Sequence, residues 1–324
     1  MRPLTTTVAA AALAAAWLTA PLSAQRELLG KPEPLASDTA EIEVLHVQGP
    51  VHLIATGGSN ITVQTGTQGP LLVDSGNAEA SEAVVAALAG LSHLPPRAII
   101  NTSPLAGHIA GNKAVFDIGS PIPGTDESLG MPIIGHQNGV NRMASGALGD
   151  VPVDLWPFNT FFGEKKALYV NGESIEVLHM PNAISDSDVM VWFRRSDVLA
   201  TGDIFDTTSY PRIRTDMGGS LGGVIDALNR VIDITIPAFN QQGGTLVVPG
   251  HGRIASESDV VEVRDMLTIV RERVAAMVES GMSFEDVIAT RPSLEYDGLY
   301  GSDTGDWTTR QFLEVVYAEV GGRR

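Results

Sequence analysis

Four short segments constrain this chain more than any other feature. In each, an apolar run of strand type stops abruptly in polar residues. Leu71-Leu72-Val73 runs into Asp74-Ser75-Gly76, and Ala98-Ile99-Ile100 into Asn101-Thr102. Val198-Leu199-Ala200 runs into Thr201-Gly202-Asp203, and Thr245-Leu246-Val247-Val248 into Pro249-Gly250-His251-Gly252. Continuous apolar runs of this length suit strands buried on both faces. Helical spacing follows from Glu79 to Leu91 and from Leu221 to Ile232, so strands and helices interleave as in an α/β fold. In such folds the chemistry collects on loops at the carboxyl ends of strands. The candidate functional residues are therefore Asp74, the segment Asn101 to Asn112, Asp203 and His251.

The remaining pattern fills in around these runs. Glu43 to Val47, Val51 to Ala55 and Ile61 to Thr65 read as strands, the first two separated by Gln48-Gly49-Pro50. Asn171-Gly172 between two strand runs is a hairpin signal. Val189 to Phe193 reads as a further strand. Lys113 to Thr160 is rich in Gly and Pro and is expected to be mostly loop, with at most one short helix. Val260 to Ser280 is a long amphipathic helix with Ser256 or Ser258 as its cap. Ser283 opens a short helix, and Asp306 to Val320 closes the chain with another.

Charge and composition exclude several functions. The formal net charge of −17 argues against a nucleic-acid partner, which would need a basic footprint. The chain has no cysteine, so disulfides, thiolate metal sites and a cysteine nucleophile are excluded, and any metal must sit on His and carboxylate. Arg2, the apolar run Val8 to Ala20 and Leu22-Ser23-Ala24 read as a secretory signal cleaved after Ala24. The expected organisation is a signal peptide over 1–24, a flexible lead-in over 25–40, an α/β domain over 41–258 and a helical extension over 259–324 packed on it. The expected destination is export, periplasmic or secreted, with no membrane span after signal cleavage.

Taken in order, the four strand ends together with His108 to Asn112 resemble the metallo-β-lactamase superfamily across nearly the whole mature chain. The resemblance implies an αββα sandwich with a metal cleft at the sheet edges. It also implies an H-x-H-x-D-H motif after Asn101-Thr102, a later histidine, a bridging aspartate and a last histidine. This sequence departs from that pattern. Ser103, Leu105 and Gly107 stand at the first two histidines and the aspartate of the motif, and Ile184 at the later histidine. His108, Asp203 and His251 remain. Leu and Ile offer no donor atom to zinc, so the dinuclear hydrolase implied by the family is not expected here. Asp186 or Asp188 could lean toward the vacancy. Asp74 reads either as a support for the remnant site or as a loop carboxylate accepting backbone N–H bonds.

Two functional readings follow. In the first, the scaffold is a non-catalytic binding or accessory protein, with a small-molecule ligand in the cleft and no cofactor. In the second, it is a hydrolase of an ester, a lactone or a similar substrate, with one divalent metal, zinc foremost, on His108, Asp203 and His251. Assembly into a homo- or hetero-oligomer is compatible with the amphipathic C-terminal helices. Gly218-Gly219-Ser220-Leu221-Gly222 matches G-x-S-x-G, with Asp226, Asp233 and His251 following, but no buried strand precedes the serine. Ser220 reads better as a helix cap. His46, His52, His93, His136 and His179 read as structural.

Overall fold

The computed structural model describes residues 42–125, 128, 130–235 and 244–321. The signal segment 1–24 and the lead-in 25–40 lie outside the described residues.

The first half of the chain builds one sheet. Strands β1 (Glu43–Gln48), β2 (Val51–Ala55) and β3 (Asn60–Gln64) form an antiparallel meander, and β4 (Leu71–Val73) pairs antiparallel with β3. Helix α1 (Ser81–Leu91) then crosses over to β5 (Ala98–Ile100), parallel to β4. Short helices α2 (Ala106–Ile109) and α3 (Asn112–Asp117) lead to β6 (Ile133–His136), which is parallel to β5. Helix α4 (Gln137–Ala144) precedes β7 (Asn159–Phe161), the far edge. The order across this sheet is β1-β2-β3-β4-β5-β6-β7.

The second sheet runs β12-β11-β10-β9-β8. Its strands are β8 (Lys165–Val170), β9 (Glu173–His179), β10 (Val189–Phe193), β11 (Val198–Asp206) and β12 (Leu246–His251). Only β11 and β12 are parallel, joined by helix α5 (Leu221–Thr235). The β8–β9 hairpin turns at Asn171 and Gly172, with φ of 53° and 79°, as the Asn-Gly pair predicts. Helices α6 (Glu257–Glu279), α7 (Phe284–Thr290), α8 (Leu294–Tyr300) and α9 (Thr309–Gly321) follow. A capping box between Ser256 and Asp259 starts α6.

Three apolar layers make the αββα sandwich. Period-two alternation divides even the continuous runs: Leu71 and Val73 face the second sheet, whereas Leu72 faces α1. Val177, Val191, Phe193 and Val248 meet them from the second sheet. On its other face that sheet is covered by α5, α6, α7 and α9 through Leu228, Leu267, Val287 and Phe312. Each such fully buried side chain contributes roughly 1.5–3 kcal/mol of transfer free energy. One buried carboxylate ties the sheets together: Glu173 accepts from Gln64 Nε2, Ser196 Oγ and the amides of Arg195 and Ser196.

The segment from Lys113 to Thr160 departs from expectation. More than half of it lies outside regular elements, as expected, but it contributes strand β6, edge strand β7, helix α4 and most of α3, where at most one short helix was expected. Strand β6 is four residues long and reads Ile-Ile-Gly-His, and only its tertiary partner β5 selects a strand. Helix α8 also went without a sequence signal.

Candidate metal centre

The four strand ends converge at one edge of the sandwich. Beyond β5, Asn101 binds back to the neighbouring strand through its amide to Ile134 O. The chain then turns through α2, which carries His108. The His108 carbonyl is held by Ser75 N at 2.9 Å, Ser75 Oγ at 3.1 Å and Asn101 Nδ2 at 3.2 Å. Asn112 closes this buried network by exchanging bonds with Asn101 and accepting from Ser75 Oγ at 2.8 Å. Gly111 is required there, because a Cβ would stand 2.2 Å from Ser75 O.

The His108 ring is buried and lies between two carboxylates. Its Nδ1 is 2.8 Å from Asp74 Oδ2, and its Nε2 is 3.0 Å from Asp203 Oδ2. Asp74 is itself fixed by Thr102, whose amide and hydroxyl donate at 2.7 and 2.6 Å. Asp74 holds φ at 64°, a left-handed conformation that Asp tolerates better than most residues. His251 brings its Nε2 to 3.1 Å from Asp203 Oδ1. That approach lacks hydrogen-bond alignment, so Oδ1 is buried without a donor. Gly250 admits the carboxylate, since a Cβ would lie 2.8 Å from Asp203 Oδ1.

Electrostatics favour the charged forms of His108, Asp203 and His251. Burial alone would lower the His108 pKa, but Asp203 and Asp74 outweigh it and hold it well above the usual range. Burial likewise opposes ionisation of Asp203, yet His108 and His251 hold it well below the usual carboxylate range. His251 is raised, with Asp203 overcoming burial. The His251 side chain is 36% exposed against 2% for His108, so the cluster opens to solvent on the His251 side.

One donor atom from each of His108, Asp203 and His251 lies within 4.8 Å of the others. The unpartnered Asp203 Oδ1 and the nitrogen–oxygen donor set fit one divalent cation. Asp74 on the far nitrogen of His108 is the carboxylate–histidine arrangement that orients metal ligands. Asp74 thus combines both readings: it accepts a backbone N–H from Thr102 and it supports the cluster.

Three of the four substituted positions differ in their surroundings. Ile184 is fully buried in the apolar layer beneath the helices. Ser103 is buried, and its Oγ accepts from Leu105 N at 3.3 Å. A Cβ built on Gly107 would meet nothing within 4 Å. Neither nearby aspartate leans in. Asp186 takes a two-pronged ion pair from Arg142, at 3.2 and 2.7 Å. Asp188 is buried and accepts from Ser185 N; burial pushes its carboxyl up to about 7.

Ser220 caps α5, accepting from Gly223 N at 2.9 Å and donating to Asn182 O at 3.1 Å. Gly219 and Gly223 serve close approach, since a Cβ on either would collide with the carbonyl of Ile184 or Asn182. The five other histidines fall only partly as expected. His136 and His179 stack face to face at 3.6 Å, 11° from parallel. His136 Nδ1 accepts from Asn138 N, but its Nε2, like His52 Nδ1, is buried without a partner. Sequence reasoning did not find the Ser75–Asn101–Asn112 network. Its trace in the sequence is the polar ends of the runs, at Ser75 and Asn101, and the segment that continues to Asn112.

The model of the metallo-β-lactamase superfamily matches residues 54–253, and this chain belongs to that family. No curated protein matches the sequence at a significant level. Among solved structures, the stereoselective inverting sec-alkylsulfatase Pisa1 from Pseudomonas sp. superimposes with a TM-score of 0.64 at 14% identity. The match covers 86% of this chain and 50% of that one, so this chain spans about half the length of the alkylsulfatase. A metallo-β-lactamase from Pontibacter korlensis matches with a TM-score of 0.54 at 17% identity, over 70% of this chain and 99% of its own. The B3 metallo-β-lactamase BLEG-1 gives 0.51 at 21% identity, over 70% and 100%. At these identities the likeness speaks for the fold. Among the described residues, no helix is long and apolar enough to cross a membrane.

Proposed function

We propose that this chain is an exported member of the superfamily that has given up dinuclear zinc hydrolysis and acts as a binding or accessory protein. The observation that carries this reading is Ile184, fully buried among Leu221, Phe205 and their neighbours where the resemblance implies a ligand. Ser103 and Leu105 stand at two further positions where the resemblance implies histidines. A small-molecule ligand in the cleft would be the partner of such a protein.

A second reading is supported by a different observation. His108, Asp203 and His251 keep their donor atoms together, with Asp74 behind His108 and Asp203 Oδ1 unpartnered. These three would hold a single divalent ion, which when bound acidifies a coordinated water and polarises an ester or lactone carbonyl. Asp74 would fix the His108 tautomer.

Elemental analysis separates the two. Purified mature protein is incubated with Zn²⁺, Mn²⁺ or Fe²⁺ and desalted. About one equivalent, absent from the His108→Ala/His251→Ala double variant, together with ester or lactone hydrolysis lost in His251→Ala, establishes the single-metal hydrolase. Protein that retains no metal under any of these conditions supports the binding role.

A further inference from the structure

Strand β11 does not carry Asp203 on a regular ladder. Its register against β12 pairs Gly202 with Pro249 and Asp206 with His251, so β11 spends two more residues than its partner over this stretch. Asp203 therefore sits in a bulge, where ladder bonds do not fix the backbone. Something else must hold it, and the structure shows what does.

The bulge is closed by a turn on Asp206. Its Oδ1 accepts from Thr208 N and Thr208 Oγ1 at 2.6 and 2.7 Å, and its Oδ2 from Ser209 Oγ at 2.8 Å. Thr207 reaches across to the other ligand strand, accepting at Oγ1 from Arg253 N at 3.1 Å. Gly252 is needed for this contact, because a Cβ would stand 2.0 Å from Thr207 Oγ1. Three residues after Thr207, Tyr210 is buried against the C-terminal helices. Its ring stacks on Phe312 of α9 at 4.3 Å and 3°. Its hydroxyl donates to Asp297 of α8 at 2.9 Å, its amide to Tyr300 O at 3.1 Å, and its carbonyl accepts from Trp307 Nε1 at 3.1 Å.

We infer that the C-terminal helices position the centre: Tyr210, clamped by Asp297, Tyr300, Trp307 and Phe312, sets the 203–210 segment and through it both Asp203 and His251. Tyr210 and Trp307 are positioning residues that touch neither ligand. The extension thus both covers the second sheet and forms part of the site's machinery. The inference holds whichever reading of the function is right, since it concerns the placement of two side chains.

Two readouts test it, one of them independent of metal. Trp307→Phe and Tyr210→Phe each remove one clamp bond while keeping an aromatic ring. In metal-free protein, the ¹⁵N resonances of the His251 imidazole should shift in both variants, since its approach to Asp203 changes. If wild type binds Co²⁺, both variants should bind it about tenfold more weakly, as expected for groups that orient metal ligands. Leu88→Ala, in α1 beyond the opposite sheet, serves as the control: it should lower the melting temperature and leave both readouts in place. Unmoved His251 resonances in both clamp variants overturn the inference, as does Leu88→Ala shifting them equally. Wild type that fails to bind Co²⁺ counts against the metal reading alone, and the resonances still decide this one.

Discussion

Asp74→Asn probes the centre without disturbing the backbone. Asp74 sits at φ 64°, a conformation that Asn adopts as readily as Asp, whereas Ala would add strain of its own. The buried carboxylate serves three donors: Thr102 N at 2.7 Å, Thr102 Oγ1 at 2.6 Å and His108 Nδ1 at 2.8 Å. An amide has one acceptor oxygen, so its NH₂ must face at least one of these donors. It also removes a charge that faces the buried His108. Breaking a buried ion pair from one side costs about 3–5 kcal/mol. That is a large part of the roughly 5–15 kcal/mol available to a folded protein. Urea unfolding should show a lower midpoint at unchanged slope. If the centre binds metal, competition against a chromophoric chelator should show about 10–100-fold weaker affinity. A stability within about 0.5 kcal/mol of wild type would refute the reasoning and reduce Asp74 to a surface-like loop carboxylate.

Three further outcomes follow from the same geometry. Gly107→Asp should fold normally, because a Cβ there meets nothing within 4 Å, whereas Ile184→His should lower the melting temperature sharply by placing an imidazole in the apolar helix layer; equal melting temperatures would contradict this asymmetry. His136 is pushed down to about 4, chiefly by burial and then by His179, against 6.5 for the free side chain. The unfolded chain therefore binds the extra proton between these values, so stability should fall as pH drops from 6.5 towards 4, and His136→Asn should flatten that dependence in urea titrations. Glu173→Ala strands four donors between the sheets and should cost at least about 3 kcal/mol in chemical denaturation.

Much of the fold was legible because its strands are short, fully apolar and punctuated. Leu71 to Val73 and Ala98 to Ile100 announce burial on both faces, and Asn171-Gly172 announces a turn that few other residue pairs accept. Ser256 and Asp259 likewise declare the start of α6 through local hydrogen bonds. These are effects of neighbours along the chain, so the chain records them. Strand β6 left no such record, since Ile133 to His136 is too short to show a period and its state is chosen by β5.

The centre divides the same way. Composition and motif order mark His108, Asp203 and His251, and they mark Ser103, Leu105, Gly107 and Ile184 as departures. They do not say that Ile184 is sealed in a core while Gly107 faces open space, because burial belongs to the assembled layers. Nor do they say that Asp74 stands behind His108, 34 residues apart in sequence, or that Tyr210 joins the bulge at Asp203 to helices near the chain's end. Those contacts are long-range, and only the packing of two sheets and their helices decides which polar groups meet.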